Sequence, residues 1–307
     1  MKLFFKNIAL SGIVLIAVLF VEDAITTYAF HNKQTRKYAV WNDIIHESIE
    51  TNVLIMGNSR AWCQYSPKII DSALGTCTYN IGIDGSCFNR QIARYEIYRH
   101  YQKSLPKYII QNVEFFTLGH TQGYEREQFM PYLMYLYFRE RISDEEPLSF
   151  GELYITMYRY YMNNVYDEYT KFDFAVERGY FGEDIDWDGS KTQETKPYNA
   201  EINTNTLNLF VRYIENVQSE GINLIFVLVP LYKDTFGKVL NINEIHSIYY
   251  GLAKKYDIPI LDYSNCWLSQ DTSYFYNASH MNKTGSELFT KQLCHDLDSL
   301  GIIPRQN

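Results

Sequence analysis

A continuous apolar run and four further candidate strands along the chain predict one sheet. The first, residues 52–57, reads Asn-Val-Leu-Ile-Met-Gly, without alternation of apolar and polar positions. Such a run is typical of a strand that is buried on both faces, as in a parallel sheet. Further candidate strands occupy residues 78–83, 108–113, 223–229 and 258–262.

Helical patterns separate these candidate strands. They cover residues 88–103, 204–218 and 244–255, and a last helix is predicted over 283–300. Four residues form one apolar face of that last helix: Leu288, Phe289, Leu293 and Leu297. Strands that alternate with helices predict an α/β fold, a three-layer α/β/α sandwich of the flavodoxin-like kind with about five parallel strands.

One long segment, residues 117–203, interrupts this alternation. It contains no good candidate for a parallel strand and is crowded with tyrosine, including Tyr132, Tyr135, Tyr137, Tyr154, Tyr158, Tyr160 and Tyr161. We predict a largely helical insertion within a domain that spans residues 51–303. Such an insertion is placed to form a lid or a wall over a site.

The N-terminus carries the pattern of a membrane anchor. Lys2 and Lys6 precede an uncharged run, residues 7–21, which two acidic residues close. The run is shorter than the roughly 20 residues of a usual spanning helix, but the phenylalanines before Lys6 lengthen it if that lysine snorkels. We predict a single-pass anchor over 1–23 and a juxtamembrane connection over 24–50. A cleaved signal peptide and an amphipathic or buried helix are the alternatives.

The positive charge before the apolar run favours a cytoplasmic N-terminus. The folded domain is then extracytoplasmic, either periplasmic or extracellular.

The net charge of the 307-residue chain is −8, and no long Lys/Arg run is present, so nucleic-acid binding has no electrostatic support. The five cysteines fit no zinc pattern, and we expect neither a metal nor an organic cofactor.

Chemistry-bearing residues follow three of the predicted strands. Gly-Asn-Ser-Arg, residues 57–60, follows the first strand, and Asn-Ile-Gly-Ile-Asp-Gly, residues 80–85, ends the second. Asn-Ala-Ser-His-Met-Asn, residues 277–282, lies after the fifth strand and opens the last helix. In open α/β sheets ligands bind beyond the carboxyl ends of the strands. We therefore expect Ser59 and His280 at the same edge of the sheet.

These blocks resemble the SGNH (GDSL-type) hydrolase superfamily, over about residues 50–116 and 204–300. The resemblance implies that Ser59 is the nucleophile, that His280 is its base, and that the backbone N–H groups of Ser59 and Gly85 form an oxyanion hole. The members it resembles most are membrane-anchored and act on cell-envelope polysaccharides or teichoic acids. Without the resemblance, Ser59 is also compatible with a helix cap and His280 with a solvated turn.

Two departures from the family pattern affect the site. The aspartate that precedes the family histidine by three residues is Asn277 here, whose amide oxygen orients an imidazole but adds no charge to stabilise imidazolium. Asp271 is an alternative third member. The third block, Gly-x-Asn-Asp, is absent, and Asn112 is the candidate for its oxyanion donor. Arg60 is a candidate for binding an anionic substrate, with pairing to a carboxylate as the alternative.

The leading functional hypothesis is a serine-dependent ester hydrolase or O-acyltransferase that acts on an acylated glycan or envelope polymer outside the membrane. The alternative is a catalytically weak or inactive accessory protein. Such a protein binds a glycan, or a membrane acyltransferase partner, through the tyrosine-rich insertion. Asn277 and the missing third block favour that alternative.

Overall fold

The computed structural model describes residues 1–120, 126–145, 147–163, 165, 176–189 and 196–306. The chain divides into two compact units. One contains residues 1–42 and 122–175, and the other contains residues 43–121 and 176–307. The division predicted from the sequence, with boundaries after residues 23 and 50, stays a prediction.

A five-stranded parallel sheet forms the centre of the second unit, in the order β2-β1-β3-β4-β5. This confirms the predicted α/β fold. The strands are β1 Val53–Met56, β2 Thr78–Asn80, β3 Tyr108–Asn112, β4 Asn223–Leu228 and β5 Ile260–Asp262. β5 begins later than predicted because the Ile258 N–H bonds to Ala253 O at the end of a helix instead of joining the sheet.

Helices cover both faces of this sheet. The helices of the second unit are α3 Ser59–Gln64, α4 Pro67–Leu74, α5 Phe88–Tyr101, α9 Thr204–Ser219, α10 Lys233–Phe236, α11 Ile242–Tyr256 and α12 Lys283–Ser299, while α2 Ala39–Ile45 contains the boundary between the units. Alternate strand residues such as Ile55 and Ile110 pack in one core with Phe289 of α12. On the other face, Phe226 of β4 stacks on Phe210 of α9, with ring centroids 5.6 Å apart. The continuous apolar runs therefore reflect burial on both sides.

A small antiparallel hairpin follows β5 and was not predicted. Two 3₁₀ turns, Trp267–Gln270 and Thr272–Tyr274, lead into β6 Phe275–Asn277 and β7 His280–Met281. α12 then begins, capped by Asn282, whose side chain accepts from the Gly285 N–H at 2.9 Å.

The first unit is built around α1 Lys2–His31. Its other elements are the 3₁₀ turns Arg126–Gln128 and Met130–Tyr132 and the helices α6 Leu136–Glu145, α7 Phe150–Tyr154 and α8 Tyr158–Met162. Trp41 lies in its core, where it packs edge-on against Phe129 and Phe138 and donates a hydrogen bond to Gln128. Within this unit the described part of the insertion is thus largely helical, as predicted. Its described residues in the second unit, 117–120, 176–189 and 196–203, contain no helix.

Among the described residues, α1 is the one helix long and apolar enough to cross a membrane, with a mean hydropathy of 2.3 over its most apolar stretch, none of which is buried. Near its C-terminal end, in contrast, Thr26, Thr27 and Phe30 are buried. The helix therefore has an unpacked N-terminal part and a packed C-terminal part.

Candidate active site

Ser59 is the first residue of α3, directly after a tight turn at the end of β1. Gly57 has a φ of +152°, and a Cβ there would lie 2.6 Å from Ala61 Cβ, so only glycine fits the turn. The side chain of Asn58 caps α3 by accepting from the Arg60 N–H at 3.0 Å. Because the Asn58 side chain caps the helix, the Ser59 hydroxyl is not needed as the N-cap acceptor.

His280 lies on β7 and meets Ser59 across 221 residues of sequence. Its Nε2 is 2.8 Å from Ser59 Oγ, and its Nδ1 is 3.0 Å from Asn277 Oδ1. The two ends of the predicted site are therefore within hydrogen-bond reach of each other. The hairpin turn of two residues between β6 and β7 brings Asn277 opposite His280.

The hydrogen bonds around Asn277 determine the tautomer of His280. Asn277 Oδ1 accepts from the backbone N–H groups of Ser279 and His280, at 2.8 and 3.0 Å. This atom is therefore an acceptor, and His280 Nδ1 must carry the proton that points to it. Nε2 then has a free lone pair, which accepts a hydrogen bond from the Ser59 hydroxyl as a general base requires.

Burial keeps the imidazole neutral. Desolvation, with a smaller contribution from the positive charge of Arg60, lowers the pKa of His280 to about 3. A solvated turn histidine would keep a pKa near 6.5. The neutral form is the one that accepts a proton from serine, although the low pKa makes the imidazole a weak base.

Tyr276 is a neighbour of the site that the sequence interpretation missed. Its ring stacks on the His280 imidazole, with centroids 5.4 Å apart and planes 9° from parallel. Burial raises the pKa of Tyr276, so its hydroxyl stays protonated. A tyrosine directly before Asn277 in a strand points to the opposite face unless the strand is irregular, and β6 carries such a register shift.

The segment that carries Gly85 runs beside the Ser59 turn. Ile81 and Ile83 donate their N–H groups to Ile55 O and Gly57 O, which continues the pairing of β1 and β2 past the strand ends. Asn80 binds this segment to α3 by donating to Ala61 O at 2.7 Å.

Gly85 then follows Ile83 by two residues, as Ser59 follows Gly57 in the paired segment. Gly85 is exposed and adopts a φ of +59°. Among the described residues, no hydrogen bond uses the N–H groups of Ser59 or Gly85. The two N–H groups that the resemblance implies for an oxyanion hole are thus unoccupied donors on neighbouring segments.

Asn112 does not fit the role of a third oxyanion donor. It is fully buried at the end of β3, and its Oδ1 accepts from the hydroxyl of the equally buried Tyr65 at 3.1 Å. A Cβ on Gly57 would lie 2.7 Å from Asn112 Cβ, so this residue packs beneath the turn rather than at the surface of the site. The reason is that Asn112, the last residue of β3, is still buried like the other residues of that strand.

Arg60 does not fit the role of a substrate ligand either. Its side chain is 3% exposed and pairs with Glu114, which is 4% exposed. Arg60 Nε donates to Ser279 O at 2.8 Å, in the turn before His280. The alternative, a carboxylate partner, is therefore correct, and burial lowers the pKa of the guanidinium to about 10.

This ion pair connects three of the segments that form the site. Arg60 belongs to the first block, Ser279 to the last, and Glu114 follows β3. The rule used for Ser59, that functional residues follow strand ends, also points to Glu114.

Asp271, the alternative third member, has a different contact from Asn277. Its exposed carboxylate accepts from the Ser273 N–H at 2.9 Å and caps a 3₁₀ turn.

Comparison with known proteins finds similarity to solved structures only at low sequence identity. No family model matches the chain, and no curated protein matches it. The chain is similar to a putative platelet activating factor from Streptococcus pneumonia, with 12% identity, coverage of 94% of this chain and 99% of that one, and a TM-score of 0.46.

Two further structures are similar to this chain. One is a putative lipolytic protein of the G-D-S-L family from Desulfitobacterium hafniense, at 13% identity over 80% of this chain and 99% of that one, with a TM-score of 0.41. The other is the acetyl xylan esterase AlAXEase, at 11% identity over 81% of this chain and 98% of that one, with a TM-score of 0.42. Conclusions about chemistry therefore depend on the site itself.

Proposed function

We propose that the chain is an SGNH-type ester hydrolase or O-acyltransferase that uses Ser59. The single observation that carries the proposal is the 2.8 Å contact between Ser59 Oγ and His280 Nε2, with the tautomer of His280 held by Asn277. A partly buried, neutral imidazole that faces a serine hydroxyl at the end of a parallel sheet is the arrangement that nucleophilic acyl transfer needs.

In the acylation step, Ser59 Oγ attacks the ester carbonyl while its proton moves to His280 Nε2. The carbonyl oxygen becomes an oxyanion, and the free N–H groups of Ser59 and Gly85 are the donors to receive it. The C–O bond to the leaving alcohol then breaks, and that alcohol takes the proton from His280. Deacylation repeats these steps with water, or with a sugar hydroxyl, as the attacking group.

The substrate class that we propose is an acylated glycan or envelope polymer outside the cytoplasmic membrane. The resemblance to envelope-modifying SGNH proteins and the length and apolarity of α1 support this class. In the proposed topology the N-terminus is cytoplasmic and the domain is extracytoplasmic. If the reaction is transfer rather than hydrolysis, a membrane acyltransferase is the natural partner to supply the acyl group.

A serine-directed fluorophosphonate probe tests the catalytic proposal. We expect the full-length protein in detergent to form one covalent adduct, mapped by peptide mass spectrometry to Ser59. Ser59→Ala and His280→Ala should abolish the adduct. Ser279→Ala is the matched control, since it removes another serine of the same site without touching the pair, and labelling should persist.

Absence of labelling in a folded wild-type protein would overturn the enzymatic proposal in favour of the accessory-protein alternative. Asn277 is the observation that favours this alternative, because a neutral third member leaves the imidazolium without a counter-charge. Hydrolysis and transfer are separated by adding a sugar acceptor to a model acetyl ester and measuring acetate against acetylated sugar.

A further inference from the structure

The uncharged run of α1 is short for a membrane-spanning helix. Its 15 residues, 7–21, extend about 22 Å at 1.5 Å per residue, against a hydrocarbon core of about 30 Å. A short span is accommodated by local thinning of the bilayer and by snorkelling of the flanking residues, so the residues at its ends lie close to the bilayer interface. Residues that contact Glu22, at the end of this run, therefore lie close to that interface.

The helix α8 lies beside α1 at that point. Tyr161 donates its hydroxyl proton to Glu22 at 3.0 Å, and Arg159 pairs with Asp23 at 2.6 Å. The Met157 N–H also donates to Asp23 at 3.3 Å. The acidic residues that end the apolar run thus have polar partners within the same unit, and these partners place α8 at the depth where the run ends.

Five large apolar side chains of α7, α8 and their connection are exposed at this place. Their exposed fractions are 72% for Phe150, 65% for Tyr154, 50% for Ile155, 55% for Tyr161 and 63% for Met162. Phe150 and Tyr154 have ring centroids 5.0 Å apart. The two helices pack closely, since a Cβ on Gly151 of α7 would lie 2.6 Å from the ring of Tyr158 in α8.

We propose that these five residues, the interfacial patch, lie in the headgroup region of the bilayer that α1 crosses. The proposal rests on the membrane anchoring given under the proposed function. Tyrosine is typical of the membrane–water interface, where its ring sits with its polar tip in water, and phenylalanine is typical of the apolar face of interfacial helices. The same region of α1 adds Ile25 and Tyr28, which are 64% and 72% exposed.

Lipid is the occupant that accounts for this placement. Tyr161 of the patch contacts Glu22, which directly follows the apolar run of α1, and none of the most apolar stretch of α1 is buried by the described residues. The patch therefore adds a second membrane contact, in the interface plane, to a helix whose own apolar run is short.

Photo-crosslinking of the full chain in lipid nanodiscs tests the patch. A benzophenone amino acid replaces Tyr154 or Met162, and lipid adducts are detected by intact mass after irradiation. The matched control is Met134, which is 66% exposed in the same unit. Its neighbour Tyr135 contacts His31, nine residues past Glu22 and hence about 14 Å further along α1.

We expect phospholipid adducts at positions 154 and 162, at least severalfold above position 134. A protein that stays in the nanodisc fraction but gives no adduct at 154 and 162, or equal adducts at all three positions, would overturn the patch while leaving the anchor intact. A protein that separates from the nanodiscs would overturn anchor and patch together. Fluorophosphonate labelling of Ser59 in the same samples reports on the enzymatic proposal independently.

Discussion

Asn277 Oδ1 lies 3.0 Å from His280 Nδ1, in the position from which a carboxylate would orient and charge-stabilise the imidazole. Here a neutral amide provides the orientation alone. Orientation of the imidazole and stabilisation of its positive charge can therefore be studied separately in this site. Its chemistry is tested by restoring the charge while the geometry is kept.

Asn277→Asp should raise the rate of model-ester hydrolysis by about tenfold or more at alkaline pH. A carboxylate facing His280 Nδ1 stabilises imidazolium in the transition state, and each 1.36 kcal/mol of such stabilisation is tenfold in rate. Initial rates on one activated acetyl ester measure the change.

Three variants accompany that measurement. Ser59→Ala and His280→Ala should abolish turnover. Asp271→Ala should leave it unchanged, because Asp271 is exposed and caps a turn instead of facing the imidazole. A large loss in Asp271→Ala, together with no gain in Asn277→Asp, would show that the carboxylate acts on His280 after all.

The pH profile should distinguish this histidine from an ordinary one. Since the pKa of His280 is lowered to about 3, the imidazole is neutral at all pH values well above 3. The wild-type rate should therefore not fall between pH 7 and pH 5. In Asn277→Asp the added negative charge raises the pKa, so protonation should remove activity as the pH falls through that interval. A wild-type decline centred near pH 6.5 would contradict the assigned burial.

The Arg60–Glu114 pair should act on both stability and positioning. Glu114→Gln leaves a buried guanidinium without its carboxylate, and removal of one partner of a buried pair costs about 3–5 kcal/mol. The double variant Arg60→Met/Glu114→Leu should be less destabilised than Glu114→Gln, as measured by denaturant unfolding.

Activity should separate the positioning role from the stability effect. The double variant regains stability but lacks the Arg60 bond to Ser279 O, so its kcat should fall while it remains folded. Loss of the positive charge should also raise the pKa of His280 and move the acid limb of the profile upward. An unchanged kcat and profile would reduce the pair to a structural role.

Gly57→Ala should destabilise the protein and reduce Ser59 labelling. The φ of +152° and the 2.6 Å approach to Ala61 Cβ leave no room for a side chain, and backbone strain of this kind costs about 1–3 kcal/mol. Gly251→Ala in α11 is the control: a Cβ there meets nothing within 4 Å, and alanine should stabilise the helix by up to about 1 kcal/mol. Melting temperatures of both variants compare the effects.

The strands and the principal site residues were predictable because they depend on local signals. A parallel strand buried on both faces appears as a continuous apolar run, as in β1, and the alternation of candidate strands with helices located all five strands within a few residues. The carboxyl ends of parallel strands lie at a common edge, so the sequence was enough to predict that Ser59 and His280 lie close together.

The roles of Asn112, Arg60 and Glu114 were decided only in three dimensions. Whether a polar side chain after a strand faces the cleft or the core depends on its register and its partner. Asn112, the last residue of β3, packs against Gly57, and Arg60 pairs with Glu114, which is 54 positions away in sequence. Short sequence blocks specify residue type and order but not these pairings.

The N-terminal segment shows the same division. Its composition alone determined an apolar helix after two lysines, because apolarity and length are properties of the local sequence. Only the tertiary structure decided that this helix packs on α8 directly after its apolar run, through Asp23 with Arg159 and Glu22 with Tyr161. Contacts between residues more than 130 positions apart depend on how the intervening chain folds back, and no local pattern encodes that path.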